Sequence, residues 1–497
     1  MSEPLVNAAK RGTIMRDLTT GSITRHLLGM AAFIGVGLVA QTLYFLVDLY
    51  FVAHLGKAAI AGVSSAGTST FIVMAATQLV AVGSLALISQ AVGRRDEADA
   101  QLIFDQALSL ALLMAVVAAI LGYGLGLTAV RSLGADVATG DNAAAYLAAF
   151  LPSLILMFPL AVIGSALRAA GVVGAPMVIQ ISTIAINVIL APMLIAGWGT
   201  GHPMGVAGAG LASSIATLAG GIAFVVMFNR LQKQLHMAHH RLQPDLGVWR
   251  RIAAVGLPAS GEFLMMFLIS GAIFWIIRDF GAPAQAGFGI AMRLMQSIFL
   301  PAMAVAFAAA PIAGQNFGAG HADRVRATFR ASATIGSAIM LVLTLLCQLR
   351  PDLIIAPFTR DPAVVAVAVD YMRISSWNFV AIGLNFACSG MFQALGDTRP
   401  ALISSTVRAI IFIGPALLLM RWPGVVLHDF WYLSVASITV QACVGLWLLR
   451  GLLQRKLGGL VPVSAPASAA IVSVPASAAS TTDPASAAST TAPASAA

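Results

Sequence analysis

An aspartate, Asp48, stands near the end of an apolar run in the stretch FLVDLYFVAHLG, with Gln41 and Tyr44 seven and four residues before it. Positions i, i+3 and i+7 fall on one face of a helix, so Gln41, Tyr44 and Asp48 predict a polar stripe inside a greasy segment. The chemistry open to such a stripe is reversible cation capture. A carboxylate taken out of water can accept a proton, and with further oxygens beside it can hold Na⁺. The structural alternative is a static hydrogen bond between helices. A charged side chain at a bilayer centre costs roughly 2.5–3.5 kcal/mol on insertion scales, so an acid at such a place calls for a use. The other acid well inside an apolar run is Glu262, in GLPASGEFLMMF. Counted at about 1.5 Å per residue from Arg251, it lies roughly 16 Å deep, near the midplane of a core about 30 Å thick. Arg293 in the following run is its candidate partner, so Glu262 is either a working acid or half of a buried ion pair. Met265, Met266, Met292, Met295 and Met303 gather in the same region, where soft thioethers suit either a pocket accepting varied shapes or ordinary packing. With Arg293 and Glu262, the residues Met265, Met292 and Gln296 are the candidate lining of a second-half cavity.

The elements that must position these groups are membrane helices. Of the 497 residues, 59% are hydrophobic and 9% charged, with a mean hydropathy of +0.90. Soluble domains carry about 25% charged residues, and membrane β-strands need only about 9–11 residues of alternating polarity, whereas these apolar runs are about 20–28 long. Twelve runs are expected, the first over 27–54, the tenth over 364–393 and the twelfth over 430–453. The first is too long for the core of a signal peptide and is expected to be a span. Pro159, Pro192, Pro258, Pro301 and Pro415 fall within runs, where they are expected to kink helices.

A net charge of +9 raises the question of nucleic acid, but the placement of Lys and Arg answers it. With the N-terminus in the cytoplasm, Lys10, Arg11, Arg94, Arg95, Arg168, Arg250, Arg251, Arg324, Arg399, Arg450 and most other basic residues lie inside. Only Lys57, Arg131, Arg278, Arg350, Arg360 and Arg421 lie outside. Both termini are therefore expected in the cytoplasm, with no nucleic-acid role. Cys347, Cys388 and Cys443 show no CxxC spacing and no HExxH occurs, so metal, disulfide and thiol chemistry have no sequence support and no enzyme is expected.

The chain also repeats itself. Shifted by 225 residues, Gly56 falls on Gly281, Gln90 on Gln315, Gly93 on Gly318, Asp136 on Asp361, Tyr146 on Tyr371, Ala169 on Ala394 and Gly171 on Gly396. Six spans per copy is an even number, so both copies enter the membrane the same way round, as parallel repeats. The expected organisation is a cytoplasmic segment over 1–26, a first lobe over 27–228, a cytoplasmic linker over 229–251 and a second lobe over 252–453. A disordered Ala/Ser/Pro-rich tail is expected over 454–497, where PASAA recurs. Repeats of this kind place a substrate path between lobes that rock against each other.

Several segments resemble the multidrug and toxic compound extrusion (MATE) family, over roughly residues 20–455. AMRLMQSIFLPAMAVAFAAAPIAGQNFGAG, residues 291–320, is similar to the family's Arg-containing eighth span and its GQN-x-GAG loop. LVDLYFVAHLG, GMFQALGDTRP and NVILAPMLI followed by GVAGAGLASSIA resemble its first span, its loop after span ten and its fifth and sixth spans. The resemblance implies an all-α, twelve-helix, two-lobe exporter of a bacterial inner membrane. It would be a monomer among membrane lipids, without cofactor, expelling cationic or amphipathic drugs or metabolites in exchange for H⁺ or Na⁺. Asp48 matches the acid of the first span that binds the coupling cation, Asn187 a polar residue of span five in that site, and Ser213 a hydroxyl of span six. Two departures stand out. One branch of the family has N-x-x-LDP in the fifth span, where this chain has NVILAP and Ala191 replaces the second acid. Another has a seventh-span acid two turns after its proline, whereas Glu262 follows Pro258 by four residues. A flippase for lipids or polysaccharide precursors, from the same superfamily, is the rival, and would be expected to bring more intramembrane cations than Arg293, Arg373 and Arg408.

Overall fold

Thirteen helices carry the described part of the chain in this computed structural model, which describes residues 17–132, 134, 136–199, 201–231, 243–351, 355, 358 and 361–459; side chains at 45–49, 57, 68 and 229–231 are not described. No strand occurs among the described residues. The first half holds α1 (Ile23–Ala53), α2 (Lys57–Arg94), α3 (Glu97–Ser132), α4 (Val137–Ala169), α5 (Gly174–Ile195) and α6 (Gly205–Leu231). The second holds α7 (Leu246–Ile277), α8 (Ala282–Gly318), α9 (Ala322–Leu349), α10 (Pro362–Ser376), α11 (Phe379–Ala394), α12 (Arg399–Leu419) and α13 (Leu427–Leu457). Eleven of these are long and apolar enough to cross a membrane, and α11 is a shorter apolar helix.

The 225-residue repeat is built into the backbone. α2 begins at residue 57 and α8 at 282; α3 and α9 begin at 97 and 322; α4 ends at 169 and α11 at 394. The punctuation repeats as well. Gly56 and Gly281, with φ of 106° and 90°, precede α2 and α8, a left-handed backbone that favours glycine. Asp136 and Asp361 cap α4 and α10, their carboxylates accepting the amides of Thr139 and Ala363. After α4 and α11 the chain turns at Gly171 and Gly396, with φ of 77° and 65°.

The expected tenth span is in fact two helices. α10 ends at Ser376, Trp377 and Asn378 form a turn, and α11 resumes. Hydropathy cannot register this, because the apolar run continues across the turn. A break inside a bilayer requires side chains to replace the lost backbone partners. Here α9 supplies them: Thr344 Oγ1 donates to the carbonyl of Ser376 at 2.9 Å and Gln348 Nε2 to that of Arg373 at 2.7 Å. In the first copy α4 runs unbroken through Pro152 and Pro159. The ends of the expected segments also shift. α1 starts at Ile23 and α7 at Leu246, since polar and basic residues extend helices beyond their apolar windows, and α13 continues to Leu457, four residues into the expected tail. Residues 232–242 of the linker and 460–497 of the tail lie outside the described residues.

Some of the apolar core lies within a half and some crosses between them, as where Val82 and Ala86 of α2 pack with Val255 and Ala259 of α7. Phe104 stacks on Phe228 in the first half, and Phe288, Tyr371 and Trp431 form an aromatic cluster in the second. Between the halves, α2 and α8 are the most buried spans among those described. The halves meet toward the end bearing Arg94, Arg95, Arg250 and Arg251, here termed the basic end. Gly83 of α2 and Gly256 of α7 let backbones touch: a Cβ on Gly83 would overlap the carbonyl of Ile252, and one on Gly256 that of Leu79. Phe71 and Phe267, with ring centroids 4.3 Å apart, meet farther along the same pair of helices. Arg251 and Asp99 add an ion pair at 3.4 Å, about half-exposed on the arginine side and therefore worth little in stability.

Candidate functional site

Three helices of the first half converge on one oxygen. Tyr44 of α1 donates its hydroxyl to Ser213 Oγ of α6 at 2.7 Å, and Asn187 Nδ2 of α5 donates to the same Oγ at 3.0 Å. Ser213 is fully buried and Asn187 nearly so. A hydroxyl has two acceptor lone pairs and one proton, so with two donors engaged Ser213 keeps its own proton to offer. Asp48 lies four residues beyond Tyr44 in α1, a spacing that puts it on the same helix face one turn on; its side chain is outside the described set. Of the residues read from the sequence for this site, Tyr44, Asn187 and Ser213 are therefore in contact. Gln41 is half-buried and makes no hydrogen bond among the described residues. Ala191, one turn beyond Asn187, is completely buried among apolar residues that include Val52, Ala59 and Ala212. The position where the resemblance would place a second acid is thus part of the apolar packing.

The second-half candidates separate. Glu262 accepts a hydrogen bond from Ser389 Oγ of α11 at 3.0 Å, and Ser389 in turn faces Gln393 Nε2 at 3.5 Å. No ion pair joins Glu262 to Arg293 among the described residues; Arg293 and Gln296 are exposed on α8. Met265 and Met292 are half-buried against the second-half core, where the Tyr371 hydroxyl meets Met292 Sδ at 3.8 Å. Met295 is buried in that core and Met266 is exposed. The methionines thus divide between packing and surface. Ser389 escaped the sequence reading because a lone serine on an apolar helix carries no pattern; only the fold brings it across from α11 to α7. Among the described residues no cluster of three His, Cys, Asp or Glu could hold a metal.

The MatE family profile matches twice, over residues 34–193 and 258–418, so that the two matches are displaced from each other as the two sets of helices are. This chain belongs to the MatE family. Among MatE relatives, the multidrug export protein MepA of Staphylococcus haemolyticus is 24% identical over 438 residues, covering 87% of this chain and 95% of that protein. The probable multidrug resistance protein YoeA of Bacillus subtilis is 26% identical over 357 residues, 70% of this chain and 76% of that one. Solved structures agree on the fold. MATE in the straight and in the bent conformation each superpose with a TM-score of 0.83 at 21% identity, covering 90% of this chain and 99% of theirs. A MOP superfamily transporter from Pyrococcus furiosus, whose binding pocket is described as of reverse polarity, superposes equally well, at 22% identity over the same shares.

In this MatE chain the Tyr44–Ser213–Asn187 junction ties three helices together around one atom, which makes a direct prediction. Ser213→Ala removes the acceptor that Asn187 and half-buried Tyr44 share, at about 1–3 kcal/mol for the buried Asn187 amide. The purified protein is expected to melt several degrees below the wild type. An unchanged midpoint would show that the junction contributes nothing to holding α1, α5 and α6 together.

Proposed function

We propose that this chain is a secondary exporter of cationic or amphipathic small molecules, driven by inward flow of H⁺ or Na⁺, in a bacterial inner membrane with the basic end in the cytoplasm. The observation that carries the reading is the pairing of Asp48's place on α1 with the adjoining Tyr44–Ser213–Asn187 junction. Asp48 stands one turn from Tyr44, whose hydroxyl joins Ser213 and Asn187, so this face of α1 offers a polar surrounding in which a cation can be taken up and given back. The names of the relatives, multidrug export and multidrug resistance proteins, favour the same substrate class.

Transport requires two access states that differ in affinity for both ion and substrate, because a ligand shifts an equilibrium only by its differential binding. In the proposed cycle an ionised Asp48 favours the state open to the outside, where it captures H⁺ or Na⁺. Loading neutralises the local charge and permits the substrate to leave outward and the lobes to reorient. Release of the cation into the cytoplasm restores the charge, and a new substrate enters from the inside. Alternation between two tightly packed lobes suits this cycle, since packed interfaces switch between discrete arrangements.

The test is flux in proteoliposomes loaded with a cationic dye. A pH gradient and a Na⁺ gradient are imposed in turn, each without the other. One of them is expected to drive dye against its gradient, with ion movement dependent on dye. No dye movement under either gradient, from protein shown to be folded, refutes the proposal.

A further inference from the structure

The two glutamines matched by the sequence repeat face each other's lobes. Gln90, near the end of α2, donates through Nε2 to the backbone carbonyl of Ala394 at 2.8 Å. Gln315, its counterpart near the end of α8, donates through Nε2 to the carbonyl of Ala169 at 2.7 Å. Ala169 and Ala394 are themselves repeat partners, the last residues of α4 and α11. Each acceptor is a terminal helix carbonyl, which lacks an intrahelical donor because the chain has already turned away. The turns at Gly171 and Gly396 leave those carbonyls free to face the other lobe.

Glycine makes the approach possible. A Cβ on Gly93 would overlap the backbone carbonyl of Gln315, and a Cβ on Gly318 that of Gln90. α2 and α8 therefore cross in backbone contact, and each glutamine reaches over the crossing to the opposite lobe. The second bond is further secured. Leu18, ahead of α1, donates its amide to Gln315 Oε1 at 3.0 Å, Asn316 Nδ2 donates to the Leu18 carbonyl at 3.1 Å, and Arg324 Nη1 donates to the Gly21 carbonyl at 3.0 Å. The Leu18 side chain is fully buried beside Ala308, Ala309 and Ile312 of α8.

We propose that Gln90 and Gln315 form a reciprocal latch that holds the cytoplasmic end of the transporter shut, and that both bonds must open together for the inward-facing state. The inference rests on the alternating-access reading above. A bundle joined only by apolar packing would slide; two directional bonds related by the repeat give the closed end a defined register. Both break in a single motion, because each spans the same pair of lobes. The segment at Leu18 makes the Gln315 side the stronger one.

The experiment uses the full chain with its native cysteines replaced and Ser89→Cys introduced. Ser89 is fully buried where α2 meets Gly314 of α8. A membrane-impermeant thiol reagent is applied to inside-out vesicles. Gln90→Met and Gln315→Met keep the size and unbranched shape of the side chain while removing its amide. Each is expected to raise the labelling rate about 3–10-fold, the larger effect falling on Gln315→Met, and the double variant to multiply the two. Labelling from right-side-out vesicles is expected to stay at the rate of the Ser89→Cys parent. Parental labelling in the double variant, or faster labelling from both faces, overturns the latch. If the double variant does not reach the membrane, the single variants decide, and parental rates in both overturn it. Dye export by the Ser89→Cys parent, followed in parallel, separates the two readings: export with unchanged labelling refutes the latch alone, and no export under either ion gradient refutes the transporter.

Discussion

Asp48→Asn is expected to abolish ion-driven export while leaving the protein folded in the membrane. Asparagine keeps the shape of aspartate and can still form hydrogen bonds at the polar face of α1, but it has no charge to gain or lose. Moving a two-state equilibrium from 1:99 to 99:1 takes about 5.5 kcal/mol of differential binding. In the proposed cycle that difference comes from the cation at Asp48. On α5 Ala191 stands where the resemblance would place a second acid, and it is buried in apolar packing. Gradient-driven dye export in inside-out vesicles is therefore expected to fall at least about 100-fold. Passive exchange of dye down its own gradient is expected to continue, because the variant still has two access states. The reading fails if Asp48→Asn pumps dye as the wild type does at equal membrane abundance. Loss of both activities together, with normal folding, would instead make Asp48 a substrate contact.

The second large effect is expected at the crossing of α2 and α7. An alanine at Gly256 places its Cβ within the space of the Leu79 carbonyl, and neither partner is a side chain that can rotate aside. The strain is relieved only by moving whole helices, and α2 and α7 belong to different repeats of the chain. Overpacking of this kind costs about 1–3 kcal/mol and occasionally more. Gly256→Ala is expected to lower the melting midpoint and to cut the proposed export about tenfold or more, because the basic end can no longer close fully. Gly29→Ala in α1 is the matched control: nothing lies within 4 Å of its added Cβ, and alanine favours a helix over glycine by up to about 1 kcal/mol. That control is expected to melt at or slightly above the wild type. Equal behaviour of the two variants would mean that the backbone contact between the lobes has no mechanical role.

Several parts of this architecture were legible before any coordinates. Asp136 and Asp361, Gly56 and Gly281, and Gly171 and Gly396 were legible as repeat partners in a chain dominated by Ala, Leu and Val; that each sits at a helix end came from the structure. The GQN-x-GAG segment was legible as a resemblance, and Gln90 and Gln315 as repeat partners. Their reach across the seam was not. A glutamine in an apolar sequence has no preferred partner, and here the partner is a backbone carbonyl that any residue could supply. The pairing of Glu262 with Arg293 looked reasonable because the two lie on successive spans. The bundle instead brings Ser389 to Glu262 and leaves Arg293 exposed.

The sequence by itself determined that the chain spans a membrane as helices, that its pattern repeats after 225 residues, and roughly where most of those helices lie. These properties are local: hydropathy, charge placement, caps and left-handed glycines act within a few residues of where they are written. The tertiary structure decided which polar atoms meet. Tyr44, Asn187 and Ser213 come from three separate helices, and the split between α10 and α11 depends on donors from α9. The physical reason is that apolar side chains specify burial without specifying neighbours, so a helix's register against its partners is set only when all of them are packed.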